Sequence, residues 1–332
     1  MVQKILIIRF SSIGDIVLTT PIMRCLKKQF PEIEIHYLTK PEYKILLENN
    51  PNIDKIHVLD KSIFEKALEL KAEKFDAVID LHKNLRTLIF KTLLEVNSYS
   101  YNKLNFEKWL FVNLKINRLP KIHIVDRYFE AANAFCNSTL INDGEGLDYF
   151  FPENVWTFEN LPQPMPENFI AWAIGAQHFT KKLPNEKIIR ICQKLTIPVF
   201  ILGGKEDFEN GEQISNAAGV YVKNLCGKLN ISQSASVIFQ SKLLATNDTG
   251  MMHIGAALKK PILSIWGNTI PEFGMSAYFG NKEIRDFQFA IQNLHCRPCS
   301  KIGFNKCPKT HFKCMNLQNE DEILKTIQQF LN

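Results

Sequence analysis

Thr246-Asn247-Asp248-Thr249-Gly250-Met251-Met252-His253 follows an apolar run at residues 243–245 and precedes a small-residue helix candidate at 254–258. A carboxylate, a hydroxyl, a glycine and a histidine therefore gather where a strand would end and a helix would begin. Open parallel sheets bind ligands at such junctions, and a helix N-terminus offers unpaired N–H groups to a phosphate or a ribose hydroxyl. The stretch is read as part of a nucleotide or diphosphate pocket. A plainer reading stays open, in which Asp248 or Thr249 caps a helix and His253 is a packed imidazole.

A second turn of the same kind lies near the N-terminus. Residues 5–8 are continuously apolar, as a central parallel strand buried on both faces would be. Arg9-Phe10-Ser11-Ser12-Ile13-Gly14-Asp15 then turns the chain, and Ile16, Val17, Met23, Leu26 and Phe30 recur at helical spacing. The turn is not GxGxxG, so no dinucleotide fingerprint is supported. Pro21 either kinks this helix or marks a lead-in turn.

Strand patterns at 33–38, 56–59 and 77–81 alternate with helix patterns, and the last runs into Asp80-Leu81-His82 and Arg86. Residues 123–136 read as a long amphipathic helix. Three prolines within residues 159–168 place an interdomain linker there. Beyond it, strands are expected at 169–174, 198–202, 220–222, 243–247 and 262–266, with helices between. The loop Gly175-Ala176-Gln177-His178-Phe179-Thr180-Lys181-Lys182-Leu183-Pro184 follows the first of these. Lys181 or Lys182 either neutralises a diphosphate or is a solvated loop charge. The expected organisation is α/β, with a first domain at 1–158, a second at 169–315, and a closing helix within 316–332.

The chain has 332 residues, long enough for two cores, with 40 basic against 34 acidic residues and a formal charge of +6. That excess suits anionic small substrates or an anionic surface and is too dilute to argue for nucleic acid. The N-terminal apolar run is far too short for a membrane span, and no signal-peptide pattern follows it, so a cytoplasmic protein is expected. Residues 98–118 interleave aromatic residues with Lys103, Lys108 and Lys115. They form either a helix whose aromatic side packs on the sheet or a peripheral surface for anionic lipid at the inner face of the cytoplasmic membrane. Of eight cysteines, four cluster as Cys296-Arg297-Pro298-Cys299, Cys307 and Cys314. These can hold structural zinc or an iron–sulfur group, with His295 or His311 as substitute ligands, or they are reduced thiols.

Taken together, Ser11-Ser12-Ile13-Gly14-Asp15-Ile16-Val17, Asp80-Leu81-His82 with Arg86, Thr180-Lys181-Lys182-Leu183-Pro184 and Asp248-Thr249-Gly250-Met251-Met252-His253 resemble glycosyltransferase family 9. This is the heptosyltransferase family of lipopolysaccharide assembly, and the likeness runs from about Lys4 to about Met315. It implies a GT-B fold, two Rossmann-like domains facing each other across a cleft, and inversion at the anomeric carbon. On that pattern Asp15 is the base and Lys181 the phosphate-contacting lysine. Gly175, Thr180, Asp248, Thr249, Gly250 and His253 would serve the donor, and Arg9, Ser12, Gly14, His82 and Arg86 the acceptor. Leu183 departs from the aromatic residue common in the family before the loop proline.

The expected activity is transfer of heptose from ADP-heptose to a lipopolysaccharide core or related surface glycan. The competing readings are a GT-B nucleotide-sugar epimerase and a catalytically silent scaffold of surface-polysaccharide assembly. Partners would be a nucleotide-diphosphate sugar and an anionic glycolipid or oligosaccharide acceptor. No DxD run stands at a strand end, so no obligatory metal is implied, though a divalent cation can assist departure of the diphosphate.

Overall fold

A computed structural model describes residues 3–136, 139–153, 155 and 165–331. The chain forms two compact units. The first comprises residues 1–103, 122–150 and 278–282, and the second residues 104–121, 151–277 and 283–332. Residues 104–121 and 278–282 thus interrupt the contiguous division at 158 and 169 expected from sequence. The 159–164 part of the proline-rich stretch lies outside the described residues.

The first unit is built on a five-stranded parallel sheet. Its strands are β1 (Lys4–Ile8), β2 (Glu34–Thr39), β3 (Lys55–Val58), β4 (Ala77–Asp80) and β5 (Asn97–Ser100), in the order β3-β2-β1-β4-β5. Ile5 to Ile8 and all of β4 are buried, which accounts for their uninterrupted apolar character. The order reverses between β1 and β4, and Ile8 pairs with Asp80. The chains leaving these two strands therefore flank the crevice at which a doubly wound sheet binds ligands.

The second unit carries β6 (Ile170–Ala173), β7 (Val199–Leu202), β8 (Val222–Asn224), β9 (Leu243–Asn247), β10 (Ile262–Trp266) and β11 (Asp286–Ala290). Their order is β11-β10-β9-β6-β7-β8, and every pairing is parallel. Here the reversal lies between β6 and β9. The stretch beginning at Thr246 leaves β9 at that point, and helix Gly250–Ala257 follows with Thr249 as its N-cap residue. The terminal helix Glu320–Gln328 buries Ile323 and Ile327 in the core of this unit.

Several local expectations are refined. Pro21 opens a second helix, Thr20–Gln29, after a short helix Ile13–Val17, so it is a lead-in residue rather than a kink. The strand expected at 220–222 starts two residues later, because Val220 and Tyr221 project into solvent after helix Phe208–Ala218. Residues 98–118 divide into β5 and helix Asn105–Leu114. Tyr101 is buried, whereas Phe106 and Trp109 on the helix are exposed. The expectation that the helix packs its aromatic side inward is therefore corrected: Leu110 is its buried residue.

Candidate active site

In the first unit, the turn after β1 is organised around Arg9. Its buried guanidinium forms an ion pair with Asp15, donates to the carbonyl of Leu81 just beyond β4, and reaches Tyr128 Oη at 3.1 Å. Nε donates to the carbonyl of Ser11 at 2.8 Å. Burial works against the charge on Arg9, but Asp15 and the neighbouring tyrosines outweigh it and the pKa is raised. Arg9 is thus committed to holding Asp15 and the chain after β4. Asp80, at the end of β4, pairs with Lys91 at 3.2 Å.

Asp15 lies in the first turn of helix Ile13–Val17. Its Oδ2 accepts the Ser12 hydroxyl at 2.8 Å and the Ser12 backbone N–H at 3.2 Å. Ser12 and Arg9 consequently fix the carboxylate from two sides, and Gly14 is buried between them in sequence and the helix. The residue does serve the helix start, as a cap partner, while its side chain remains about one-fifth exposed. These two roles are compatible.

Beside this turn lies an open depression of about 460 Å³ lined by Phe10, Ser11, Lys40, His82, Asn84, Leu85 and Arg86. His82 packs its ring on Phe10 at a centroid distance of 5.0 Å. Burial, and then the charges of Arg9 and Lys103, push its pKa down to about 4, so the imidazole is neutral near pH 7. Arg86 is exposed in the first turn of helix Leu85–Leu94. Lys40 and Arg86 give the depression a cationic rim; Lys40 was not singled out by its sequence context.

In the second unit, Lys181 Nζ lies 2.6 Å from Asp248 Oδ2. The pair spans the reversal point, since Lys181 belongs to the loop after β6 and Asp248 follows β9. Thr269 Oγ1, beyond β10, donates to the same Asp248 oxygen at 2.7 Å. Asn247, fully inside the unit, donates from Nδ2 to the carbonyl of Ile174 and accepts the N–H of Leu183. It thereby ties both ends of the β6 loop to β9.

The remaining expected donor residues divide by environment. Thr249 and Gly250 stand partly exposed at the start of helix Gly250–Ala257, where unpaired N–H groups are available. His253 is buried within that helix. Thr180 is also buried, and its Oγ1 accepts the N–H of Phe304 at 2.8 Å, so it anchors a loop instead of presenting a hydroxyl to solvent. Gly175 leaves room for Asp207: a Cβ there would lie 2.5 Å from Asp207 Oδ2. Lys182 pairs with that buried carboxylate at 2.6 Å.

The cysteine loop reaches the same region through its backbone and through Arg297. The Arg297 side chain donates to the carbonyls of Gly267 and Thr269, and the Cys299 N–H donates to the carbonyl of Asn268. The loop that places Thr269 on Asp248 is therefore held by the residue inside the Cys-Arg-Pro-Cys turn. Cys296, Cys299, Cys307 and Cys314 carry free thiols, with Cys296 Sγ 3.8 Å from His311 Nε2. Burial first, and then the neighbouring cysteines, push the Cys314 thiol up to about 12. Arg297 and Thr269 escaped the sequence reading because their partners lie about 30 and 20 residues away.

The glycosyltransferase family 9 (heptosyltransferase) model matches residues 64–302. The chain belongs to this family. The glycosyltransferase is 24% identical to lipopolysaccharide heptosyltransferase 1 of Campylobacter coli, with 98% of each chain covered. Among solved structures it resembles the family 9 glycosyl transferase of Veillonella parvula, with a TM-score of 0.78 and 23% identity over 99% of this chain and 97% of that one. It also resembles ADP-heptose lipopolysaccharide heptosyltransferase II of Escherichia coli, with a TM-score of 0.74 and 17% identity over 99% and 98% of the two chains. The two parallel-sheet units are those of a GT-B glycosyltransferase.

Proposed function

We propose that this glycosyltransferase moves heptose from ADP-heptose onto a lipopolysaccharide core, with inversion at the anomeric carbon. The observation that carries the reading is the Lys181–Asp248 pair at the β6/β9 reversal. It puts a cation and a helix N-terminus where a nucleoside diphosphate binds such a sheet. The names of the C. coli and E. coli relatives support heptose as the sugar.

In a single displacement the acceptor hydroxyl must lose its proton as the new bond forms. Asp15 is the group assigned to collect it. Arg9 and Ser12 hold that carboxylate in one orientation, which suits a base that acts late, once bond formation has acidified the hydroxyl. On the donor side the departing diphosphate gains negative charge in the transition state. Lys181 and the N–H groups opening helix Gly250–Ala257 are assigned to stabilise it. Lys40 and Arg86, on the rim of the depression in the first unit, suit an anionic acceptor. Because these residues supply the positive charge, transfer should not depend on an added divalent cation, and enzyme assayed in EDTA should keep its rate to within a few-fold.

Peripheral membrane contact is assigned to the segment around helix Asn105–Leu114. Phe106, Trp109, Leu114 and Ile116 are exposed there, near exposed Arg118 and Lys121, while Lys115 donates to the carbonyls of Cys296 and Pro298. Apolar side chains with a basic rim suit an anionic lipid surface. Among the described residues no helix is long and apolar enough to cross a membrane.

Calorimetric titration with ADP and with ADP-heptose tests the donor assignment. Wild type should bind both, and Lys181→Ala should bind both more weakly. Equal affinity in the two proteins would remove the lysine from the site. Product formed from donor alone would favour an epimerase; binding without transfer to any core acceptor would favour the scaffold reading.

A further inference from the structure

The end of the first sheet opposite the candidate active site carries a cluster that the transfer chemistry does not use. Lys4, Glu34 and Lys55 are the first residues of β1, β2 and β3. Lys4 is the register partner of Glu34, His36 that of Lys55, and Leu38 that of His57. Alternation along the strands therefore puts Lys4, Glu34, His36, Lys55 and His57 on one face. Glu73, beyond helix Ile63–Lys71, closes over them with ion pairs to Lys4 and Lys55.

Inside this cluster His36 Nδ1 and His57 Nε2 face each other at 2.9 Å, and both side chains are almost completely buried. Glu34 decides the proton positions. Its carboxylate only accepts, and it lies 2.7 Å from His36 Nε2, so that nitrogen carries hydrogen and a neutral His36 offers a lone pair at Nδ1. One ligand atom from each of His36, His57 and Glu73 lies within 4.8 Å of the other two. Phe75 packs edge-on against both imidazoles, at 5.2 and 6.3 Å, and holds the rings.

We infer that His36 Nδ1, His57 Nε2 and Glu73 form a binding site for a zinc-class divalent cation, with water completing the coordination. Two features argue for this beyond proximity. Imidazole with carboxylate is the donor set that such ions prefer. In addition, a ligating histidine characteristically gives its other N–H to a carboxylate, the arrangement that Glu34 makes with His36. In a tetrahedral site the two nitrogens would stand about 3.3 Å apart, so the rings need to separate by only a few tenths of an ångström. As the ion enters, His57 gives up its Nε2 proton and takes one at Nδ1 through solvent, so that both ligating rings stay neutral imidazoles. Lys55 and Lys4 release Glu73, and since both side chains reach solvent their ammonium groups can rehydrate.

The site is remote from Arg9, Asp15 and His82, which stand at the other end of the same strands. Its ion would clamp β2, β3 and the segment carrying Glu73, and would raise stability without entering the transfer step. Cobalt(II) titration of chelator-treated full-length enzyme tests this. Wild type should show visible d–d absorption at about one equivalent without requiring a thiolate charge-transfer band, and zinc should displace the cobalt and raise the thermal midpoint. His57→Gln should abolish the d–d signal. Glu73→Gln changes a more exposed residue and should weaken binding by at least about tenfold. Glu34→Gln, which removes the carboxylate behind His36 together with its ion pair to Lys4, should cost about 10- to 100-fold. A spectrum showing only thiolate-bound cobalt would overturn the proposal, as would equal affinity in wild type and Glu73→Gln.

Discussion

Lys181 Nζ and Asp248 Oδ2, 2.6 Å apart, join the chains leaving β6 and β9, the strands between which the second sheet reverses its order. The lysine is consequently held in place before any diphosphate arrives, and Asp248 is the group that holds it. Lys181→Ala should lower kcat/KM for the donor by about 10²- to 10³-fold, the range seen when one stabilising donor is lost from a transition state. Steady-state kinetics alongside a thermal midpoint would check this. A midpoint near wild type with unchanged kcat/KM would refute the role.

Thr269 acts one step further back. Its hydroxyl donates to the Asp248 oxygen that faces Lys181, and its carbonyl is held by Arg297. Thr269→Val keeps the shape and removes a hydrogen bond to a charged group, a loss of about 1.5–3 kcal/mol in such contacts. Donor kcat/KM is expected to fall about tenfold or more, and Thr269→Ser to restore most of it. Equal rates for Val and Ser variants would show that the hydroxyl does not position Asp248.

His82 sets a pH dependence of stability. Its folded-state pKa is pushed down to about 4 from an ordinary 6.5. Between those values the unfolded chain binds a proton that the folded chain refuses, so this residue makes stability fall as pH is lowered through the window. Below about 4 both states are protonated and the contribution stops growing. Urea midpoints measured across the window should fall less steeply with acidification in His82→Asn than in wild type. Identical slopes would mean that another group carries the effect.

The exposed Phe106 and Trp109 give the lipid assignment its own test. Wild type should float with vesicles containing anionic lipid at low salt and dissociate as salt rises. Phe106→Ser combined with Trp109→Ser should reduce flotation several-fold while leaving transfer to a delipidated acceptor unchanged. No flotation of wild type at low salt would end the lipid assignment.

How much of this was legible depends on the range over which each signal acts. The apolar runs of β1 and β9 and the polar turns after them are local, and they are legible as strand-to-helix junctions; that both lie where the strand order reverses follows only from the sheet pairing. β5, with sequence Asn-Ser-Tyr-Ser, has no apolar run because it is a sheet edge, and it went unread. Lys181 meets Asp248 only when β6 and β9 pair, whereas Arg9 meets Asp15 within one turn and needs the distant chain only for its contacts to Leu81 and Tyr128. Arg9 looked like an acceptor contact and is instead the brace of Asp15; Thr180 looked like a donor contact and anchors Phe304. Arg297 carries no local signal, because the carbonyls it holds, those of Gly267 and Thr269, lie 30 and 28 residues away. The pairing of residues 104–121 with the second unit cannot be read from a continuous chain, since nothing in the local pattern marks the crossing.

The most direct measurement is mass spectrometry of truncated lipopolysaccharide cores after incubation with the purified enzyme and ADP-heptose. One added heptose is expected with wild type. With Asp15→Asn, folded and still binding donor, the rate should fall by at least about 10²-fold. Wild-type rates in Asp15→Asn would contradict the assigned base, and an unchanged core across the acceptor panel, despite tight binding of ADP-heptose, would contradict heptosyl transfer itself.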